Sequence, residues 1–256
     1  MHSRLADPVR RAVRTGRAYG RAALPGPLGR LPEFLIIGGQ RCGTTSLYRH
    51  LAGHPSVRAA TGKELQFLSL HHGRGLRWYR AHFPVRPPGV LSFEASPYYL
   101  FDPAAPARAA ALLPDARFIA LLRDPVERAY SHYLHSRAYG VEPLSFADAL
   151  AAEPARLATG GHTARRRYSY VARGRYAGQL SRWFAAVGRD RVLVVPTEQL
   201  TARYGEILDF LGLDRMPAPD RRHTRRGDDA PAFPEHLRER LAAEFAADQA
   251  ALAGLL

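Results

Sequence analysis

The chain has 256 residues, 46% of them apolar, and a formal charge of +14. That length supports one sizeable α/β core, and no run approaches the roughly 20 apolar residues that span a bilayer. The single cysteine, Cys42, excludes an intramolecular disulfide and fits a reducing compartment, so the expected location is cytoplasmic, while the charge asks for an anionic partner.

Residues 1–30 are arginine-rich without a core-forming period, which predicts an exposed basic arm. The arm lacks the apolar stretch of a secretory leader and is a candidate for peripheral membrane contact. FLIIG predicts the first strand and TSLYRHLAGH a helix ended by Pro55; SVRAAT then extends toward KELQFL at 63–68. GLRWYRAHFP (75–84) predicts a short helix and VLSFEAS (90–96) a second buried strand. A helix over 104–114 leads to the third strand, ARFIALLRDP (116–125), and VERAYSHYLHSRAYG (126–140) is the helix leaving its polar turn. SFADALAAEPARL predicts a short helix and GGHTARRRYSY a loop. YAGQLSRWFAAVG (176–188) is amphipathic, with Leu180, Trp183 and Phe184 on one stripe. RVLVVPTEQL (191–200) is the fourth strand, YGEILDFLGL (204–213) a helix, DRRHTRRGDDAPAFP a loop, and 235–256 a terminal helix. Short apolar strands alternating with helices predict one α/β domain over 31–256, P-loop-like, its central parallel sheet covered by helices on both faces.

The stretch FLIIGGQRCGTTSLYRHL, 34–51, has the layout of a phosphate-cradling loop between a strand and a helix. Gly43 lets backbone approach a ligand, and Thr44, Thr45 and Ser46 add hydroxyl donors. The nucleoside-triphosphate version needs lysine after the second glycine. Thr44 stands there, and Arg41 supplies a cation inside the loop instead. A metal-dependent NTPase also needs a carboxylate at a neighbouring strand end. The strand FIALL ends in Arg123, and Asp124 before Pro125 reads as a helix cap. Ser131 follows two helical turns on. The pattern asks for a ligand with two separated anionic groups and no metal.

FLIIGGQRCGTTSLYRHL, KELQFL and FIALLRDPVERAYSHY, in this order, resemble the PAPS-dependent sulfotransferases, in particular the heparan-sulfate-type branch and its bacterial relatives. PAPS is 3′-phosphoadenosine 5′-phosphosulfate, and PAP is the product left after transfer. The resemblance continues through ARGRYAGQLSRWF, RVLVVPTEQL and FLGL and covers about residues 33–213. It implies that Gln40, Arg41, Cys42, Gly43, Thr44, Thr45 and Ser46 surround the 5′-phosphosulfate, with Arg41 where the family more often has lysine. It implies that Arg123 and Ser131 grip the 3′-phosphate, that Arg175 and Tyr176 lie near the nucleotide, and that Arg225 and Arg226 close over it from the late loop. Glu64 matches the family's glutamate and is the expected general base. Lys63, the only lysine in the chain, and Arg41 would stabilise the transferring group and the leaving phosphate. Phe67 would pack behind Glu64.

The expected reaction is sulfuryl transfer by in-line displacement to a hydroxyl, less favourably an amine, of a carbohydrate-containing or small natural-product acceptor. Ala95 stands where the heparan-sulfate branch often has lysine, which speaks against a polyanionic glycan held in the same manner. Ser96 and Tyr98 are acceptor-side candidates, and His132 is a candidate for the acceptor site or for help as a base. Three other readings compete: an altered P-loop kinase using ATP and Mg²⁺, a basic nucleic-acid-binding protein, and a pseudoenzyme that binds PAPS without transfer. Arg123 in place of a metal ligand counts against the first, and no nucleic-acid-binding module is legible for the second. The Lys63–Glu64 pair counts against the third. A Cys42 nucleophile lacks a His or Asn partner in the sequence.

Overall fold

A computed structural model of the chain describes residues 26–218 and 232–256, together with Gly20 and Ala22. Arg225, Arg226 and most of the basic arm lie outside the described residues. Residues ahead of position 31 pack on the sheet domain, and Arg77 Nε donates to the Ala22 carbonyl at 2.8 Å. The Gly29 carbonyl accepts from Arg80 Nε at 2.9 Å, and a Cβ on Gly29 would run into the Phe83 backbone.

Five strands form one sheet: β1 (Phe34–Gly38), β2 (Val57–Ala59), β3 (Leu91–Ala95), β4 (Arg117–Leu122) and β5 (Val192–Pro196). The order is β2-β3-β1-β4-β5 and every pairing is parallel, with Phe34 beside both Phe93 and Arg117. The fifth strand, β2, is a short edge element inside the segment expected only to be extended. The helices are α1 (Thr44–Ala52), α2 (Gly75–Ala81), α3 (Ala105–Leu112), α4 (Pro125–Ala138) and α5 (Phe146–Thr159), then α6 (Gly161–Tyr168), α7 (Tyr176–Val187), α8 (Tyr204–Leu211) and α9 (Glu235–Ala253). Among the described residues no helix is long and apolar enough to cross a membrane.

Alternation along the strands sends side chains into two cores. Leu35, Ile37, Phe118, Ala120 and Leu122 join Leu180 and Trp183 of α7 on one face. Phe34, Ile36, Ile119, Leu121 and Val195 join Leu47 and Leu51 of α1 and Ile207 and Leu208 of α8 on the other. A third cluster packs Val126, Tyr130 and Tyr133 of α4 against Phe146 of α5 and Leu241 and Phe245 of α9. The sheet is therefore covered on both faces, as the alternating pattern predicts.

Residues 161–168 are helical, which corrects the expected loop over GGHTARRRYSY. The signal lies just past the helix in the chain. Arg173 Nη2 donates to the Arg165 and Arg166 carbonyls at 2.9 Å, and Ser169 Oγ donates to the Arg165 carbonyl at 2.6 Å. These donors satisfy carbonyls at the helix's C-terminal end, where a cation is favourable.

Candidate active site

The chain reverses its direction across the sheet at β1, since β2 and β3 lie on one side of it and β4 and β5 on the other. Ligands of open α/β sheets bind at such a switch point, outside the carboxyl ends of the strands. The loop 39–43, Ser96, Arg123 and Thr197 all follow directly on strand ends there.

The loop is tied down from below. Gly39 N donates to the Leu121 carbonyl at 2.6 Å, and the Thr197 hydroxyl lies 2.8 Å from both the Cys42 and Leu122 carbonyls. Gly43 has φ +83°, a left-handed conformation that glycine adopts without Cβ strain. α1 starts there with neither a side-chain cap nor an acidic residue in its first turn. Its first N–H groups and its positive end are thus open to an anion. Cys42 points under the loop, fully buried, with its Sγ 3.6 Å from the Tyr176 hydroxyl. Burial pushes the thiol pKa up, the opposite of an activated nucleophile.

Two cationic poles flank the loop. At one, Lys63 Nζ donates to Thr45 Oγ1 at 2.6 Å, and its pKa is lowered mainly by burial. Glu64 follows, exposed and next to the cleft, in a left-handed conformation with φ +63°. At the other, Arg41 Nε donates to Ser131 Oγ at 3.1 Å, with Nη1 3.4 Å from His135 Nδ1. Partial burial of the guanidinium and the nearby Arg123 charge lower its pKa. Arg123 pairs with Glu127 at 3.3 Å. Asp124 accepts from Glu127 N at 2.8 Å and caps α4, so that carboxylate is spent on the helix.

The remaining candidates divide. Tyr176 is buried, and its hydroxyl donates to the Arg123 carbonyl at 3.0 Å, which supports the loop from beneath. Arg175 instead pairs with Glu244 of α9 at 3.0 Å and borders a second cleft with Phe101 and Arg182. His132 is buried against the Tyr170 ring at 4.9 Å, and burial, then the Arg173 and Arg128 charges, push its pKa well down. That removes it as an accessible base. Ser96 is also buried and bonds to Glu94, so it does not face an acceptor. Phe67 stacks on Tyr79 at 4.2 Å in the core beneath the Lys63–Glu64 segment.

A cleft of 210 Å³ lies against Glu64, lined by Gln40, Gln66, Pro97, Tyr98, Thr163, Arg166, Arg167 and Arg173. Three of these arginines escaped the sequence reading. Arg173 sits in ARGRYAGQLSRWF, two residues before the arginine taken up there. Arg166 and Arg167 were hidden in the supposed loop. Arg173 is buried, its guanidinium 4.9 Å from the Tyr98 ring centre. Burial and the neighbouring Arg128 push its pKa down to about 9, which leaves it charged at neutral pH. Arg173 Nε and Gln40 Oε1 are buried polar atoms without a hydrogen-bond partner among the described residues. Such atoms fit a ligand that brings both an anionic group and a hydrogen-bond donor.

The sulfotransferase domain family matches residues 31–222. The chain belongs to the sulfotransferase family. It is 36% identical over 200 residues to the human bifunctional heparan sulfate N-deacetylase/N-sulfotransferase 3, a match covering 72% of this chain and 22% of that protein. With mouse heparan sulfate glucosamine 3-O-sulfotransferase 6 it shares 34% over 221 residues, 82% of this chain and 61% of the other. The chain thus spans about a fifth of the length of the N-deacetylase/N-sulfotransferase, 22%. The crystal structure of a sulfotransferase from Alicyclobacillus acidocaldarius superposes with a TM-score of 0.71 at 32% identity, over 88% of this chain and 96% of that one. Sulfotransferases in general use PAPS as donor.

Proposed function

We propose that this sulfotransferase-family chain moves a sulfuryl group from PAPS to a hydroxyl, less favourably an amine, of a carbohydrate-containing or small natural-product acceptor that bears an anionic group. The observation that carries the reading is the pair of cationic poles on one strand-end crevice: Lys63 with Thr45 at the helix side of the loop, and Arg41 with Ser131 and Arg123 at the other. The loop 40–46 would hold the 5′-phosphosulfate between them. The anionic character of the acceptor rests on Arg166, Arg167 and Arg173 in the cleft beside Glu64.

Sulfuryl transfer forms a bond from the acceptor oxygen to sulfur and breaks the bond from sulfur to the bridging oxygen, whose electron pair leaves with PAP. The proton of the acceptor must go to a base, and Glu64 is the carboxylate bordering the cleft. Lys63 neutralises charge that develops as the bridging oxygen leaves, and the N–H groups of α1 hold the phosphate in place. Arg173 draws the acceptor's anionic group to the Glu64 side of the cleft.

Calorimetric titration with PAP, beside ATP·Mg²⁺, tests the reading. Binding of PAP without added metal, and little for ATP·Mg²⁺, is the expected result. Binding of ATP·Mg²⁺ with no preference for a 3′-phosphate would overturn it in favour of the altered kinase.

A further inference from the structure

Glu94 is a carboxylate in the middle of a parallel sheet, and nothing in the transfer chemistry uses it. It lies in β3 opposite Leu35 of β1 and is fully buried. Among the described residues no cation forms an ion pair with it. Instead three hydroxyls converge: Tyr79 OH at 2.8 Å and Tyr99 OH at 2.7 Å on Oε1, and Ser96 Oγ at 2.7 Å on Oε2. Burial raises its pKa, and these hydroxyls with the Leu65 N–H pull the other way.

Two of the three hydroxyls face a second partner. Ser96 Oγ accepts from Gln66 N at 3.0 Å, and Tyr99 OH accepts from Leu68 N at 3.2 Å. Both N–H groups belong to the irregular segment 63–68, which carries Lys63 and Glu64. The segment contains two non-glycine residues in left-handed conformations, Glu64 at φ +63° and Gln66 at φ +57°. Such conformations persist only where the surroundings hold them. Further ties are the Glu64 N–H bond to the Ala95 carbonyl at 2.9 Å, Arg108 Nη1 donating to the Leu68 carbonyl at 2.8 Å, and the Leu65 N–H that Glu94 itself accepts.

A hydroxyl has one proton to give and can also accept. The Glu94 carboxyl oxygens accept the hydrogen bonds of Ser96 and Tyr99, which turns each hydroxyl's lone pairs toward the backbone N–H on its far side. We infer that Glu94 is a positioning residue: it orients the Ser96 and Tyr99 hydroxyls to receive the Gln66 and Leu68 N–H groups and thereby holds Lys63 and Glu64 at the phosphate loop. The inference rests on the role proposed for Glu64. Tyr79 supplies the internal contrast, because its hydroxyl bonds the same carboxylate, while no bond from it to segment 63–68 is among those described. Glutamine at 94 would present an N–H₂ to one hydroxyl, redirect that hydroxyl's proton and leave a segment N–H facing it.

The experiment compares the full-length wild type with Glu94→Gln, Ser96→Ala and Tyr79→Phe by hydrogen–deuterium exchange, PAP affinity, Tm and PAPS hydrolysis. Water serves as the acceptor probe in the last assay. In Glu94→Gln and Ser96→Ala, exchange over 64–68 should speed up about tenfold or more and hydrolysis should fall by a similar factor, while PAP affinity falls by less than hydrolysis does, because loop 40–46 and Arg41 keep their own contacts and only Lys63 is loosened. Tyr79→Phe should lower Tm comparably yet keep that protection, and its hydrolysis should stay within about threefold of wild type. Unchanged protection of 64–68 in Glu94→Gln would overturn the inference. So would losses of hydrolysis that track Tm across all three variants, the mark of a merely structural group. A wild type that fails to bind PAP would overturn the donor reading and the role given to Glu64, whereas the exchange pattern by itself decides whether Glu94 holds the segment.

Discussion

Arg41 and Lys63 carry like charges in one site, but the structure sends them to opposite ends of the loop. The Arg41 guanidinium bonds Ser131 rather than Thr45, which leaves Lys63 as the cation on the Thr45 side. On the proposed reading Arg41 would therefore act with the residues facing a 3′-phosphate, whereas its position in the loop points to the phosphosulfate. Arg41→Ala should weaken PAP by about 10–100-fold, the worth of a charge-assisted hydrogen bond of about 1.5–3 kcal/mol, and weaken adenosine 5′-phosphosulfate much less. Equal losses for both ligands in a titration would return Arg41 to the sulfuryl end. Glu64 is tested separately. Glu64→Gln should keep PAP affinity and lose transfer by about 10²–10⁴-fold, the usual contribution of a general base, and near-normal turnover would remove it from that role.

Helix α6 brings Arg166 and Arg167 to a cleft shared with Gln40 and Glu64, and the turn before α5 is tied to Tyr170, just past that helix. Glu142, buried between α4 and α5, accepts from Arg156 Nη1 at 2.6 Å, Tyr170 OH at 2.8 Å and Leu144 N at 3.0 Å. Burial acts to raise its pKa, but the Arg156 and Tyr170 hydrogen bonds outweigh it and hold the group below the ordinary glutamate value of 4.5. The unfolded chain therefore takes up this proton more readily than the folded one. The stabilisation is complete above the unfolded pKa and is lost as pH falls through the folded one. Glu142→Gln should cost about 1–3 kcal/mol near pH 7 in urea unfolding, with a gap from wild type that narrows below the unfolded pKa of about 4.5. The same region explains a gap in legibility. GGHTARRRYSY has a glycine pair and no apolar stripe, and its helix is completed by Arg173 and Ser169, which follow it in the chain. Reading it as a loop hid Arg166 and Arg167, so the cleft's charge went unseen.

At the scale of the whole molecule, the charge of +14 acts on any polyanion, while the crevice acts on one shape. Exposed arginines are screened over about 10 Å at 0.1 M salt and about 3 Å at 1 M, whereas partly buried groups at the loop are screened much less. Raising salt from 0.1 to 0.5 M should therefore abolish retention on generic DNA but weaken PAP binding only modestly, by less than about tenfold. A parallel collapse of both, measured by the same titration, would mean that PAP is held by net charge and not by the loop.

What the sequence by itself determined is contiguous or evenly spaced. The alternating strands and helices, the loop 40–46, the Lys63–Glu64 pair and the Arg123–Ser131 spacing all lie within one or two adjacent elements, where backbone geometry dictates which residues share a face. What only the tertiary structure decided are contacts between segments distant in the chain. Arg41 meets Ser131 across 90 positions, and Gln66 meets Ser96 across 30. Arg173 meets the Tyr98 ring across 75 positions. Local propensity carries no term for such meetings. They follow from strand order, which brings the ends of β1, β3 and β4 to one edge of the sheet, and from the need of buried polar groups for partners wherever the fold places them.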